Sequence, residues 1–351
     1  MSLIRRPTPL RLRTVMLLVS LCLMPGTALY AWQFGVVVWL QTLWCVLLAL
    51  GFEAGLLRLR GLDVRAGLSD LSWLVLGLIL ARALPLMVPL WMIALASFAA
   101  LALCKHGSGG LGRNRLNPAM VGLGIIAICF YQQLYPAPSN YAPWTLGLDA
   151  KAVLLQQLQL APPLNLDAFA GATQLARDQF TPITPNLSGY GYIAGGLVLA
   201  VLRVIRIEIP LAMLASTVLL CLAAGHSPQE SLYSLSLGGL LFTAFFIATD
   251  PVTSPDTPAG RILFGAAIGV LTELIREFGL YVDGLCFAVL AANLLVPQID
   301  QLVLRIQRPW YTRKQGTESV PSAVGGREGK LSANSRGMAG KRQLIAEPGQ
   351  H

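Results

Sequence analysis

The chain has 351 residues, of which 55% are hydrophobic and only 12% are charged, and its formal net charge is +9. Soluble domains carry about twice that share of charged residues, so this composition excludes an ordinary soluble protein. It indicates a chain that buries its apolar surface in a bilayer. The six cysteines form no CxxC motif, and the three histidines lie far apart. The sequence therefore predicts neither a metal site nor an iron–sulfur cluster on this chain.

Apolar segments recur along the chain at lengths near the roughly 20 residues that a membrane-spanning helix needs. We place them at residues 14–32, 35–57, 70–84, 86–104, 118–135, 189–204, 210–225, 231–249, 260–277 and 282–298. They predict an all-α, polytopic membrane protein with about ten transmembrane helices. Ten helices can divide into two halves of five, and because five is odd, such halves would be inverted in the membrane.

The basic residues favour one side of the predicted membrane. If the N-terminus lies in the cytoplasm, all but four of the 26 basic residues fall on the cytoplasmic side. The four exceptions are Arg82, Lys151, Arg177 and Arg276. Since lysine and arginine accumulate in cytoplasmic loops, this pattern predicts a bacterial inner-membrane protein with both termini in the cytoplasm. The positive charge then reflects topology and contact with anionic membrane lipids, and no nucleic-acid partner is expected.

The predicted spans and loops divide the chain into five parts. These are a cytoplasmic N-terminus (1–13), transmembrane helices 1–5 (14–135), a periplasmic loop (136–188), transmembrane helices 6–10 (189–298) and a largely disordered cytoplasmic tail (299–351). A cleaved signal peptide is the alternative interpretation of the first span, because arginines precede its apolar run and Ala-Leu-Tyr-Ala follows near residues 28–31. Its removal would leave the remaining alternation of charge unchanged.

The long periplasmic loop contains a segment suited to covalent modification. Residues 166–175 read Leu-Asp-Ala-Phe-Ala-Gly-Ala-Thr-Gln-Leu. Gly171 and Ala172 are small, so the backbone before the Thr173 hydroxyl is open to close approach, and Asp167 supplies a polar anchor nearby. An ordinary surface loop is the alternative, because Gly-Ala-Thr is a common tripeptide. A short helix is also predicted in this loop, at residues 151–160.

Three further segments are more specific than the apolar pattern. They are Lys105-His-Gly-Ser-Gly-Gly-Leu-Gly-Arg-Asn-Arg-Leu-Asn-Pro-Ala-Met-Val-Gly122, then Phe246-Ile-Ala-Thr-Asp-Pro-Val-Thr-Ser-Pro255, then Gly260-Arg-Ile-Leu-Phe-Gly-Ala-Ala-Ile-Gly-Val270 with Ile275-Arg-Glu-Phe-Gly-Leu-Tyr-Val-Asp-Gly284. Together with Glu53, the Arg58-Leu-Arg60 turn and Asp70, they resemble a family of membrane flavoproteins. That family includes the D subunit of the Rnf electron-transport complex and the B subunit of the sodium-pumping NADH:quinone reductase. The resemblance runs from about residue 50 to 305, and the compact N-terminus favours the Rnf branch.

The resemblance implies a covalent flavin on the periplasmic loop. In Rnf-type members an Asp-x-x-Ser/Thr-Gly-Ala-Thr segment holds FMN through a phosphoester to its last threonine, which is Thr173 here. Two positions depart from that pattern, since Ala170 replaces the usual Ser or Thr and Gln174 stands where Pro is frequent. The departure at Ala170 puts recognition by the flavin transferase in question.

A second candidate site lies on the cytoplasmic half. Asn114 and Asn117 precede a predicted span, and Asp250 and Thr253 lie in a loop on the same predicted face. Asparagine amides both donate and accept hydrogen bonds, which suits the edge of an isoalloxazine ring. The resemblance implies noncovalent riboflavin in this region. The alternative is that both loops only cap helices and turn the chain.

Acidic residues within spans are costly and mark candidates for an ion path. Glu53, Glu273 and Asp283 are the candidates here, and Asp70 and Asp250 lie at span edges. A structural ion pair is the alternative for each, for example between Glu273 and Arg276 one helical turn later.

The resemblance implies a membrane subunit that couples electron transfer between ferredoxin and NAD to translocation of Na⁺ or H⁺, carrying covalent FMN. Its partners would be the A, B, C, E and G subunits of the Rnf complex, and a flavin transferase during maturation. No catalytic residue is expected on this chain, because the flavin performs the redox chemistry. The alternatives are a quinone-reductase subunit, a solute permease without flavin, and a scaffold whose flavin sites have decayed.

Overall fold

The computed structural model describes residues 11–86, 88–134, 150–159, 187–236, 239–278 and 284–307. Within these ranges all regular structure is helical, which confirms the predicted all-α class. The N-terminal part contains α1 (Leu12–Phe34), α2 (Val36–Leu59), α3 (Val64–Leu68), α4 (Ser72–Ala83), α5 (Leu90–Phe98), a first π-helix (Ala99–His106), α6 (Pro118–Cys129), α7 (Tyr131–Leu134) and α8 (Ala150–Gln157). Helix α8 confirms the short helix predicted in the long loop.

The C-terminal part continues the same pattern of apolar helices. It contains α9 (Leu187–Val201), α10 (Glu208–Ala223), α11 (Pro228–Ser236), α12 (Leu240–Phe242), a second π-helix (Thr243–Ile247), α13 (Pro258–Phe278) and α14 (Leu285–Gln307). The first π-helix continues α5 and the second continues α12, and each ends at a polar loop. A π-helix widens the helical turn and is common at functional sites.

The lengths of the helices identify the clearest membrane spans. Helices α1, α2, α13 and α14 are apolar and have 21 to 24 residues, which is enough to cross a bilayer. Helix α11 and the α12 segment pass the same test together but meet at 66°. The other apolar helices are shorter, and twelve residues, as in α4 and α6, extend only about 18 Å. The polytopic class is confirmed, while the count of ten crossings stays a prediction.

Each predicted span coincides with a helix or with the bent pair, but the boundaries differ. The span predicted at 118–135 is interrupted because α6 ends at Cys129, where Phe130 leaves the helical conformation (φ −133°, ψ 41°). The two loops that follow the π-helices lie at the same end of the bundle. If the two halves of the chain were inverted in the membrane, their corresponding loops would lie at opposite ends of the bundle. The shared position of these two loops is therefore not evidence for inverted halves.

Glycines allow the closest helix contacts in the core. A Cβ atom added to Gly195 on α9 would overlap the carbonyl oxygen of Cys22 on α1. Helix α13 approaches α10 in the same way, because a Cβ on Gly265 would lie 2.5 Å from the Ile209 carbonyl oxygen and one on Gly269 would meet the Ser216 hydroxyl. Small residues that let helix backbones approach are a common way of packing helices in membranes.

Replacing Gly195 with alanine is expected to destabilise the protein by about 1 to 3 kcal/mol, because the α1 backbone has to move away. The free energy of unfolding in detergent measures the effect. Gly55→Ala is the matched control: it lies within α2 with nothing within 4 Å of the added carbon. This control is expected to gain up to about 1 kcal/mol from helix propensity. Equal stability of the two variants would contradict the close α1–α9 contact.

Two of the four basic residues that break the charge pattern are buried within the bundle. Arg82 on α4 is 1% exposed and Arg276 on α13 is 8% exposed. Arg82 donates hydrogen bonds to the Val38 carbonyl oxygen and the Thr42 hydroxyl of α2. These two side chains therefore lie inside the fold and not in a surface loop. Without them, the excess of basic residues in the loops of the predicted cytoplasmic side is larger than the sequence count indicates.

Candidate functional site

A cavity of about 360 Å³ opens among the helix ends where the polar loops meet. Its wall is formed by the first turns of α1, by α4, by the end of α9, by both π-helices and by the loops that follow them. The residues that line it are Leu12, Val15, Met16, Val19, Ser72, Val75, Leu76, Ile79, Lys105, Leu111, Gly112, Asn114, Asn117, Pro118, Ala119, Leu199, Val204, Ile205, Phe245, Phe246, Thr249, Asp250, Pro251 and Val252. The wall is mostly aliphatic and aromatic, with a few convergent polar groups, as is typical of small-molecule sites.

The first polar loop, residues 107–117, brings two predicted site residues to this cavity. Gly109, Gly110 and Gly112 have φ values of 106°, 113° and 82°, which residues with a Cβ rarely adopt. The turn that they allow returns the chain to the cavity, where Asn114 and Asn117 are both buried. The glycines thus shape the loop that brings these two residues to the cavity.

The two asparagines differ in how much hydrogen-bonding capacity they have already used. The Asn117 side-chain oxygen accepts from the backbone N–H groups of Ala119 and Met120, so it caps α6. The alternative of a helix cap is therefore correct for Asn117, although the residue also lines the cavity. The Asn114 amide donates to the carbonyl oxygen of Leu116. Since an amide has two N–H groups and a carbonyl oxygen, Asn114 retains capacity to bind a ligand.

The second polar loop, residues 248–257, supplies Asp250. Its carboxylate accepts hydrogen bonds from the Val252 N–H at 3.2 Å and from the Thr253 hydroxyl at 3.3 Å. Desolvation raises the pKa of the Asp250 carboxyl above its usual range, and the two hydrogen bonds oppose that shift. Thr253 is buried and is not among the residues that line the cavity, and its hydroxyl bond orients the Asp250 carboxylate.

Asn293 on α14 holds the two loops together and was missed by sequence reasoning. Its side-chain oxygen accepts from the Asn117 N–H, and its amide donates to the Thr253 carbonyl oxygen, both at 3.1 Å. The residue is 2% exposed. A single buried amide thus satisfies one backbone group from each loop. In the sequence, Asn293 is only an asparagine within an apolar helix. Its role can be assigned only when its hydrogen-bond partners are known.

Glu53 on α2, one of the three ion-path candidates, lies beside the cavity in a buried cluster. Its carboxylate accepts from Lys105 at 2.7 Å and contacts the His106 Nε2 atom at 3.1 Å. Lys105 also donates to the Ser72 hydroxyl at 2.6 Å. A buried carboxylate requires such partners, because an isolated charge is costly to desolvate. The sequence identified Lys105 and His106 only as part of a motif, and their contact with Glu53 depends on the π-helix.

The other two ion-path candidates are differently placed. Glu273 pairs with Arg276 at 2.9 Å, which is the pairing that the sequence offered as the alternative. Its second oxygen lies 3.6 Å from the Cys221 sulfur. Glu273 does not line the cavity near Glu53. Asp283 lies outside the described residues.

The predicted flavin-attachment segment also lies outside the described residues. This holds for Asp167, Ala170, Gly171, Ala172 and Thr173, so the attachment stays a prediction. Among the described residues, no three His, Cys, Asp or Glu side chains are grouped so that they could hold a metal ion.

The apolar helices define the chain as a polytopic helical membrane protein, and its polar loops meet at an internal cavity. A sequence model of the NQR2, RnfD, RnfE family matches residues 7–307. The chain belongs to that family, which confirms the resemblance predicted from its motifs.

Curated relatives, each named as the D subunit of an ion-translocating oxidoreductase complex, are similar along most of the chain. The relative from Aeromonas hydrophila is 36% identical over 323 residues, covering 83% of this chain and 92% of its own. The relative from Shewanella frigidimarina is 37% identical over 335 residues, covering 84% and 93%. The relative from Vibrio cholerae is 35% identical over 322 residues, covering 82% and 92%.

Proposed function

We propose that the chain is the D-type membrane subunit of an Rnf complex, an ion-translocating oxidoreductase. Such a complex couples electron transfer between ferredoxin and NAD to translocation of Na⁺ or H⁺. Family membership over residues 7–307 supports this function, as do relatives named as the D subunit of an ion-translocating oxidoreductase complex. Those names favour the Rnf branch over the quinone-reductase branch. The A, B, C, E and G subunits of the complex are then its partners.

The cavity is the proposed site of a noncovalent riboflavin. The observation that supports this proposal is that the cavity combines apolar walls with a few polar groups. An isoalloxazine is a flat ring system with an apolar end and a polar edge of alternating donors and acceptors. The aliphatic side chains of α1 and α4 and the rings of Phe245 and Phe246 suit the apolar end. Asn114, Asp250 and Lys105 suit the polar edge.

The residues of this chain would hold and orient the ring, while the flavin supplies the electron transfer when bound. Asn114 retains an N–H and an oxygen for the polar edge. Lys105 places a positive charge at the cavity wall, which favours electron density on a ring that accepts electrons. The apolar walls exclude water and strengthen both interactions.

A covalent FMN on Thr173 completes the proposed cofactor set. The charge pattern supports an inner-membrane location with both termini in the cytoplasm and the Thr173 loop in the periplasm. A phosphoester prevents loss of a flavin that faces the periplasm. Attachment requires a flavin transferase as a maturation partner, and membrane lipids surround the helices.

A count of the flavins in the purified complex tests this function. Denaturation and filtration are expected to release riboflavin from this chain, while a second flavin stays attached to it. Absence of both flavins would contradict the proposal and favour a solute permease. A releasable FMN in place of riboflavin would contradict the assignment of the cavity.

Replacing Asn293 with leucine is expected to weaken retention of the noncovalent flavin by about tenfold or more. The change leaves one buried N–H and one buried carbonyl oxygen without a partner, at about 1 to 3 kcal/mol each, and tenfold corresponds to about 1.4 kcal/mol. Flavin fluorescence after repeated dilution measures the loss. Gln298→Leu, at an exposed position on the same helix, is the control. Equal retention in both variants would show that the two loops do not hold the ligand.

A further inference from the structure

A continuous line of hydrogen-bonding groups runs from the surface to the cavity. It begins at the exposed Arg60 at the end of α2, whose Nη1 lies 3.0 Å from His106 Nδ1. His106 Nε2 lies 3.1 Å from Glu53 Oε2, and the other oxygen of Glu53 accepts from Lys105 Nζ at 2.7 Å. Lys105 lines the cavity. Every neighbour in the line is thus within hydrogen-bonding distance.

The partners of His106 determine its resting tautomer. A guanidinium can only donate, so Nδ1 must be the acceptor of the bond from Arg60. The ring proton then lies on Nε2 and is donated to the Glu53 carboxylate. In this tautomer one side of the ring is ready to accept a proton and the other side is ready to give one.

Lys105 stands at the inner end of the line with one N–H to spare. Its ammonium donates to Glu53 and to the Ser72 hydroxyl, and no third acceptor occurs among the described residues. The side chain is part of the cavity wall, so the third N–H is available to a ligand there. We infer that Lys105 is the proton donor to the cavity ligand, and that His106 and Glu53 supply Lys105 with protons from the surface. This inference rests on the proposed function, which puts a flavin in the cavity.

In one transfer, Lys105, Glu53 and His106 each give up one proton and receive one. If a flavin bound there were reduced by electrons that the complex delivers, an Nζ–H bond of Lys105 would break and a ring N–H bond would form. His106 passes its Nε2 proton to Glu53 as Nδ1 takes one from water, once Arg60 has rotated away. Glu53 rotates its carboxyl group and returns a proton to Lys105. A turn of the His106 ring restores the resting tautomer, so the net movement is one proton from water to the ring.

The charges around Glu53 suit this exchange. Lys105 and His106 face it from the first π-helix, Arg60 reaches it through His106 from α2, and Asp70 faces Lys105 through Ser72, whose hydroxyl it binds at 2.8 Å. Two cations and two carboxylates balance when His106 is neutral. Asp250 lies across the cavity in the second polar loop and is the other acid near the ligand. The resting cluster therefore holds no uncompensated buried charge, and a proton passed from His106 through Glu53 restores the Lys105 ammonium after each donation.

The first test uses His106→Gln in the complete complex. A glutamine amide can accept from Arg60 and donate to Glu53, so the fold and the cavity are retained, but an amide does not relay protons at neutral pH. Reduction of the noncovalent flavin by a chemical reductant is followed by rapid-mixing absorbance. We expect it to slow by about 100-fold, because the relay is interrupted at this position. His226→Gln, at an exposed position, is the matched control and is expected to keep the original rate.

The second test uses His106→Ala with free imidazole. Imidazole at rising concentration is expected to restore the reduction rate, because it replaces the missing base, and a structural role would give no such rescue. The releasable flavin is counted in each sample. If the original chain holds no releasable flavin, the riboflavin site of the proposed function fails, and the proton path fails with it. If it holds flavin but His106→Gln keeps its rate, or imidazole does not rescue His106→Ala, the proton path alone is overturned.

Discussion

Replacing Thr173 with alanine is expected to abolish the covalent flavin completely. A phosphoester requires the hydroxyl oxygen of the acceptor residue, and alanine has none. The original chain is expected to show a fluorescent band on a denaturing gel, and the variant a dark one. Intact mass measured on both should differ by one attached FMN in addition to the substitution. No partial effect is expected, because the loss is of a bond and not of an affinity.

The controls for Thr173 lie in the same loop. Thr181→Ala removes another hydroxyl from the loop and is expected to keep the flavin. Ala170→Thr restores the residue that the family pattern usually has there, and it is expected to raise the flavinylated fraction if the transferase recognises that position. A bright band in Thr173→Ala would move the attachment to another residue. A dark band in the original chain, produced together with its transferase, would eliminate the covalent flavin.

Replacing Glu53 with alanine is expected to have the largest effect on stability, about 3 to 5 kcal/mol. The change leaves the buried Lys105 ammonium without its counter-charge and His106 without its acceptor. The free energy of unfolding in detergent measures the loss. Glu208→Ala is the control, because that carboxylate is half-exposed and lies 3.9 Å from Arg261, where an ion pair contributes at most about 1 kcal/mol.

A double variant separates loss of the ion pair from loss of packing. Glu53→Met combined with Lys105→Met removes both charges and keeps similar volumes, so most of the lost stability should return. If the double variant is as unstable as the sum of its single variants, the two charges do not interact. The same double variant removes the proposed proton donor, so it reports on stability only and not on flavin reduction.

Much of the candidate site was predictable because the relevant polar residues cluster in sequence. Asn114 and Asn117 lie three residues apart before a proline-initiated helix, and Asp250 lies in a similar loop. That these loops meet at one cavity depends on how the helices that carry them assemble, which no local pattern encodes. Asn293 illustrates the limit, since its two partners are 176 and 40 residues away along the chain.

For a similar reason, the sequence predicted the partner of one ion-path candidate, Glu273, but not the partners of another, Glu53. The pairing of Glu273 with Arg276 was predictable, because three residues is close to one helical turn. The partners of Glu53 are about fifty residues away, and two adjacent side chains of the π-helix reach it together. Adjacent residues of an α-helix point about 100° apart, so the helical period alone did not predict this contact.

The sequence by itself determined the helical membrane class, the order of the apolar segments and the family, because these depend on composition, local periodicity and motifs. Only the tertiary structure decided what those segments enclose. It shows a cavity between two polar loops, a buried amide that ties the loops together, and a Glu53–Lys105–His106 cluster at the cavity wall. The physical reason is that close packing through glycines and buried hydrogen bonds joins residues far apart along the chain, and such contacts exist only once the helices have assembled.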